Sequence, residues 1–182
     1  AETNSLYSLW LTRDWGKGPL VVLNSDVLAH PTIYARMCRG LGNAIAYDGR
    51  SGGEPEHMKV TLRGHDLVDV GKAIPRERSH GESIGMLRFD EAGAEKLYAI
   101  AHALISAGRI GDWAPAALAL LVRSVPVLAI PVNGLPWIEI DFEEDLREAN
   151  DRVWPEIEAG VAEARPARVP ERSASFVQGG VR

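Results

Sequence analysis

Short apolar runs rich in β-forming residues alternate with helical stripes along this chain, and that alternation limits it to an α/β fold. Leu20-Val21-Val22-Leu23 reads as a strand buried on both faces, as in parallel sheets, and it delivers Asn24-Ser25-Asp26 to its carboxyl end. Ahead of it, Leu6, Leu9 and Trp10 recur at helical spacing across 3–15, behind the capping candidates Thr3 and Asn4. Pro31 suits the first turn of a second helix bearing Ile33, Tyr34, Met37 and Leu41, which Gly40 and Gly42 end before a strand at 43–47. Alternating runs at 57–63 and 66–70 flank Gly64-His65 as an antiparallel hairpin. A strand at 83–89 follows, and Leu97, Ile100, Ala101, Leu104 and Ile105 then form the clearest helical stripe, closed by Gly108. Further on, the pattern predicts a helix at 113–123, strands at 125–132 and 137–141, and a last helix after Asp141 that Pro155 should kink or restart. The expected product is one α/β domain over 1–163 with a mixed, mostly parallel sheet; 164–182, lacking periodicity, is expected to be a flexible tail.

Ligands of such sheets bind beyond the carboxyl ends of the parallel strands, which directs attention to Asp26 and Asp141. Magnesium suits two aspartates on separate strands, because this hard cation takes one or two protein carboxylates and completes its shell with water and phosphate oxygens. Each carboxylate also has an ordinary structural explanation. Asp141 with Glu144 resembles a capping box, and an aspartate in a strand-to-loop turn, such as Asp26, is common. Only the combination carries information.

Other chemistries find less support. Across 182 residues, 20 Lys and Arg stand against 25 Asp and Glu, a net charge of −5 with no basic cluster fit for a phosphate backbone, so nucleic-acid binding is not expected. The single cysteine, Cys38, makes neither an internal disulfide nor a cysteine-type zinc site and suits a small apolar role in a cytoplasmic protein. The longest strongly apolar stretch, 116–122, falls well short of the roughly 20 residues of a membrane span. His30, His57, His65, His80 and His102 show no zinc-ligand spacing, and Ser25 lacks the Gly-x-Ser-x-Gly setting of a hydrolase. Most of the five tryptophans are expected at core-facing or turn positions, and Arg76 and Arg78 in a loop able to close over a phosphate as a lid.

Several segments together resemble one known family. Residues 4–11 (Asn-Ser-Leu-Tyr-Ser-Leu-Trp-Leu), 21–27 (Val-Val-Leu-Asn-Ser-Asp-Val), Lys59-Val60, Val70-Gly71-Lys72, Ser83-Ile84-Gly85-Met86 and 137–146 resemble, in order, the phosphocholine cytidylyltransferase and sugar-1-phosphate nucleotidyltransferase superfamily. The most specific pieces are the strand-borne Asp-Val and the Trp-x-Glu-Ile-Asp-x-x-x-Asp-Leu segment. The resemblance implies a Rossmann-like, GT-A-type nucleotidyltransferase fold. It also implies magnesium-dependent joining of a nucleoside triphosphate, CTP by preference, to a small phosphorylated or phosphonate acceptor, with release of pyrophosphate. Asp26 and Asp141 match the metal aspartates, Lys72 matches a lysine that contacts acceptor phosphate, and Glu82, Trp137 and Glu139 lie in segments that line the acceptor pocket.

The chain departs from that family at its start. Members begin with a strand and a glycine-rich loop that cradles the triphosphate, and no such segment precedes Thr3. The expectation is that about 60 to 90 residues, the size of two βα units, are missing from the amino end or belong to another chain. The alternatives are a noncatalytic binding or assembly domain retaining part of the fold, a sugar-1-phosphate nucleotidyltransferase, and a glycosyltransferase, which would present Asp-x-Asp where this chain has Asn24-Ser25-Asp26. Assembly as a homo-oligomer stays open.

Overall fold

The computed structural model describes residues 3–15, 17–51 and 53–164, so the tail expected over 164–182 lies outside the described residues apart from Ala164. The strands are β1 (Leu20–Leu23), β2 (Val27–Ala29), β3 (Ala44–Asp48), β4 (Lys59–Arg63), β5 (Asp66–Gly71), β6 (Gly81–Phe89), β7 (Leu128–Pro131) and β8 (Trp137–Glu139). The α-helices are α1 (Ser5–Leu11), α2 (Pro31–Arg39), α3 (Glu91–Ser106), α4 (Pro115–Leu121), α5 (Glu143–Glu148) and α6 (Trp154–Ala164). No described helix is long and apolar enough to cross a membrane.

The main sheet runs β1-β6-β3-β7-β5-β4, and β4 also pairs with β6, so β6, β3, β7, β5 and β4 hydrogen-bond round to β6 again. The sheet is mixed, as expected, but it is not mostly parallel. Among the described pairings only β3 with β7 is parallel, because β6 runs antiparallel between β1 and β3. The hairpin β4–β5 then joins β7 and β6 antiparallel. β1, β3 and β7 nevertheless point the same way and open their carboxyl ends on one rim. A second ribbon, β2 with β8, was not foreseen at β2; it aligns Val27 with Glu139 and Ala29 with Trp137.

Alternation along the strands divides the interior. Ile45, Leu87 and Phe89 face a core shared with Leu6 of α1, Leu97 and Ala101 of α3, and Leu118 and Leu121 of α4. Ala44, Ala46, Ile84 and Met86 face the opposite side, against Ile33 and Met37 of α2. The sheet is thus covered on both faces, the arrangement α/β sequences reach by burying every apolar stripe. β1 is the exception to the expected double burial: it lies at the sheet edge, and Val21 and Leu23 are 37% and 44% exposed. Trp113 and Trp154 are likewise exposed, away from the core, whereas Trp15, also exposed, occupies a turn, one of the positions expected of the tryptophans.

The helices start where their caps dictate. Asn4, His30 and Asp90 accept backbone N–H groups of Ser5, Thr32 and Gly93 at 2.7, 3.1 and 2.8 Å. At the other end of the chain, a π-helical turn at Ala149–Val153 separates α5 from α6. Pro155 follows directly in α6, and the widened turn accommodates the N–H it lacks and the room its ring needs.

Candidate functional site

The rim where β1 and β3 end gathers five carboxylates. Asn24 follows β1, and its N–H donates to the Gly85 carbonyl at 2.9 Å. Gly85 has φ +69°, and a Cβ there would meet the Asn24 amide, so glycine is required for Asn24 to sit where it does. From that position Asn24 Nδ2 donates to Glu139 Oε1 at 3.2 Å. Glu139 is half-buried, and burial pushes its carboxyl above the ordinary value; Asn24 opposes this, while the charges of Asp141, Asp26 and Glu82 add to it.

Asp26 and Asp141 meet through the β2–β8 ribbon. The Ile140 N–H donates to the Asp26 carbonyl at 2.9 Å, which puts Asp141 next to the paired residue, and both side chains are solvent-exposed. Their shared influence on Glu139 places both charges on its side of the molecule. The capping explanation of Asp141 does not hold: Asp145 carries that role, its Oδ2 accepting the N–H groups of Asp141 and Phe142 at 3.0 and 2.8 Å. The Asp141 carboxylate is therefore not spent on the helix.

Deeper in the rim, Asp48 ends β3 and faces Glu82 of β6 across the strand pair. Trp137 Nε1 donates to Asp48 Oδ2 at 2.9 Å, and the Arg50 N–H donates to Oδ1 at 2.9 Å. Burial would raise the Asp48 carboxyl, but these donors and the Arg50 guanidinium outweigh it and hold the group below the ordinary value. Ser51 Oγ donates to Glu82, and His57 Nδ1 lies 3.4 Å from the same carboxylate oxygen. Burial still raises the Glu82 carboxyl, Ser51 and His57 offset part of the effect, and Asp48 and Glu56 reinforce it.

A proton on Glu82 is thus held more tightly in the folded chain than in the unfolded one. This group favours the folded state fully below its unfolded value of about 4.5, and that contribution is lost as pH rises through the higher folded value. Glu82→Gln, neutral at every pH, is accordingly expected to raise Tm at pH 8, with the gain fading by pH 4. Paired thermal melts at the two pH values check this, and an equal or lower Tm at pH 8 refutes it.

Lys72 stands apart from the carboxylates. Its backbone lies on the same rim, its carbonyl accepting the buried Lys59 ammonium at 2.8 Å, but its own Nζ rests 4.7 Å from the Trp113 ring centroid. Lys59 also donates to the Pro55 carbonyl at 3.2 Å, so one buried cation fastens the 54–57 loop to the turn after β5. Of the residues singled out from the sequence, the fold brings Asp26, Asp141, Glu82, Trp137 and Glu139 to this rim and holds the Lys72 ammonium away from it; Asp48, Asn24, Ser51 and Lys59, given no site role from the sequence, join them there. Asp48 was open to discovery by the strand-end rule that found Asp26.

The donor set is all oxygen and anionic, which fits a hard divalent cation at Asp26 and Asp141. No cluster of three or more His, Cys, Asp or Glu able to hold a metal occurs among the described residues. Two carboxylates suffice for an ion that takes its remaining ligands from water and phosphate.

No protein-family model matches the sequence, and no curated protein is detectably similar to it. Solved structures are similar in fold. The inositol-1-phosphate CTP transferase from T. maritima superposes with a TM-score of 0.69 at 18% identity, over 91% of this chain and 65% of that one. A CTP:phosphocholine cytidylyltransferase from Streptococcus pneumoniae gives 0.59 at 16% identity, over 81% and 62%. A glucose-1-phosphate thymidylyltransferase from Bacillus anthracis, described as putative, gives 0.61 at 16% identity, over 92% and 64%. The chain thus spans just under two thirds of the length of these proteins, and across that span it has the Rossmann-like fold of the nucleotidyltransferases.

Proposed function

We propose that this chain is the acceptor- and metal-binding portion of a magnesium-dependent nucleotidyltransferase that joins a nucleoside triphosphate to a small phosphorylated or phosphonate acceptor. The observation that carries the reading is the pairing of β2 with β8, which brings the backbones of Asp26 and Asp141 together at the rim. CTP is the favoured nucleotide, since two of the proteins similar in fold are a CTP transferase and a CTP:phosphocholine cytidylyltransferase. The glycine-rich triphosphate loop comes, in this reading, from a segment preceding the chain or from another chain, and the protein is cytoplasmic.

In the reaction an acceptor oxygen attacks the α-phosphorus, the new P–O bond forms as the α–β bridge bond breaks, and pyrophosphate leaves. No protein nucleophile is needed; alignment and charge compensation suffice. Magnesium would supply charge neutralisation at the phosphates, with Asp26 and Asp141 as its protein ligands. Glu139, Glu82 and Trp137 form the acceptor pocket. Asn24 orients the first, Ser51 the second and Asp48 the third. Carboxylates beside a half-buried indole suit an acceptor that is cationic or rich in hydroxyls. The exposed Lys72 reaches the acceptor phosphate by leaving the Trp113 face.

The test is pyrophosphate release with magnesium, using CTP, UTP, GTP and ATP in turn against phosphocholine, inositol 1-phosphate and a simple phosphonate. Turnover with CTP and one of these acceptors is expected. If no pair releases pyrophosphate and no nucleotide raises Tm in the presence of magnesium, the noncatalytic binding-domain reading replaces this one.

A further inference from the structure

Beside the acidic rim lies a cleft of about 250 Å³ with the opposite chemistry. It is lined by Gly49, Arg50, Ser51 and Gly53 after β3 and by Arg76, Ser79, His80 and Gly81 before β6. No carboxylate is among these residues. The geometry points to a binding site for a phosphate-sized oxyanion in this cleft, separate from the Asp26–Asp141 pair and contributed by Arg50, Arg76 and His80.

Two observations remove the alternative of a merely solvated surface loop. First, the wall that carries Arg76 is fixed rather than free to swing as a lid. Residues Arg76–Arg78 form a 3-10 turn, Thr61 Oγ1 donates to the Arg78 carbonyl at 3.1 Å, and the His80 N–H donates to the Val60 carbonyl at 2.8 Å. Second, the donors that line the cleft are in part unspent. Arg76 has no carboxylate partner among the described residues, and its guanidinium lies over Gly53. His80 Nδ1 accepts the Leu62 N–H at 3.3 Å, so the neutral ring carries its proton on Nε2 and can donate. Arg50 is steadied by Asp48 at 3.4 Å and reaches the turn at Gly134. Planar guanidinium forks on two walls, with an imidazole donor and small residues between them, match the several acceptor oxygens of a phosphate group.

Chain neighbours of this cleft, Asp48 and Glu82, belong to the acidic rim, so one ligand could place a phosphate group here while its other end meets those carboxylates. The source of the anion is either free phosphate or the phosphate group of a larger small molecule, and the two share the recognition chemistry.

The test is calorimetric titration of the protein with inorganic phosphate and, in parallel, with glycerol 3-phosphate, at low salt with EDTA. Saturable binding of at least one probe below about 20 mM is expected, with affinity falling at least about tenfold in Arg76→Gln and in Arg50→Gln. Asp26→Asn should bind within about twofold of the parent, since the cleft does not use that carboxylate. Tighter binding of the ester identifies a phosphorylated small molecule as the ligand, and exclusion of the ester identifies the free ion. Absence of saturable binding, or undiminished binding in the double variant Arg50→Gln/Arg76→Gln, overturns the proposal. The titration contains neither nucleotide nor metal, so its failure is distinct from failure of the nucleotidyltransferase reading.

Discussion

Asp141→Asn should lower pyrophosphate release by about 10³-fold or more while leaving Tm within about 2 °C of the parent. The asparagine keeps the shape and one acceptor oxygen but loses the charge that a divalent ion requires. Stability is spared because the Asp141 side chain is exposed and the cap on α5 belongs to Asp145. Asp145→Ala supplies the converse. It should cost about 1 kcal/mol of stability through loss of the cap, and leave turnover within a few-fold. The two aspartates lie four residues apart, so crossed outcomes would separate metal binding from helix capping within one segment. A readout independent of turnover comes from Mn²⁺ titration followed by paramagnetic broadening. The amide signals of Asn24 and Glu139 should broaden first, and both Asp26→Asn and Asp141→Asn should suppress the effect. Turnover of Asp141→Asn within tenfold of the parent would sink the metal assignment.

The contrast between Asp141 and Asp145 also shows what the sequence could and could not disclose. Asp26 and Asp141 were legible because each follows an apolar run, and a strand's carboxyl end is where an α/β sheet presents its chemistry. That rule needs only local pattern. What it could not supply is the partner: β2 is three residues long and exists by pairing with β8, more than a hundred positions away. The same non-local dependence explains the sheet's antiparallel balance, since nothing within residues 81–89 states that this strand will lie between β1 and β3. Asp48 was passed over because Asp48-Gly49 reads locally as the start of a turn, although it too ends a strand. The helices were read well because their signals are local: Asn4 and Pro31 mark starts, and Gly108, with φ +83°, marks a stop. The division of labour at 141–145 was hidden because a capping box pairs residues by spacing, and two overlapping acidic spacings compete there.

A charge within a strand is the hardest of these features to read, and Arg88 is the case with the largest consequence for stability. It is 5% exposed with no carboxylate partner among the described residues; instead its guanidinium serves four backbone carbonyls in the last turn of α2 and the segment just after it. Nε donates to Gly42 at 2.9 Å, Nη1 to Arg36 and Met37 at 3.1 Å each, and Nη2 to Leu41 at 2.6 Å. The Arg36 and Met37 carbonyls belong to the electronegative last turn of α2, and those of Leu41 and Gly42 follow it, so backbone dipoles compensate the cation. Burial pulls the Arg88 guanidinium below its ordinary value without making it neutral. Arg88→Met, close in volume but without donors, should cost about 3 kcal/mol, or about 6–12 °C in Tm, by leaving those carbonyls unserved. Arg88→Lys should recover only part of this, because an ammonium lacks the planar fork that spans four acceptors. Gly40→Ala provides an independent approach: its φ of −71° tolerates alanine, but the added Cβ would fall on the Arg88 guanidinium and displace it. Urea unfolding of the three variants measures the ranking. A loss below about 1 kcal/mol in Arg88→Met would mean that water replaces the guanidinium at no great cost. If the loss is as large as expected, it should reach the site as well, because α2 packs through Ile33 and Met37 on the face of β6 that carries Ile84, two residues from Glu82.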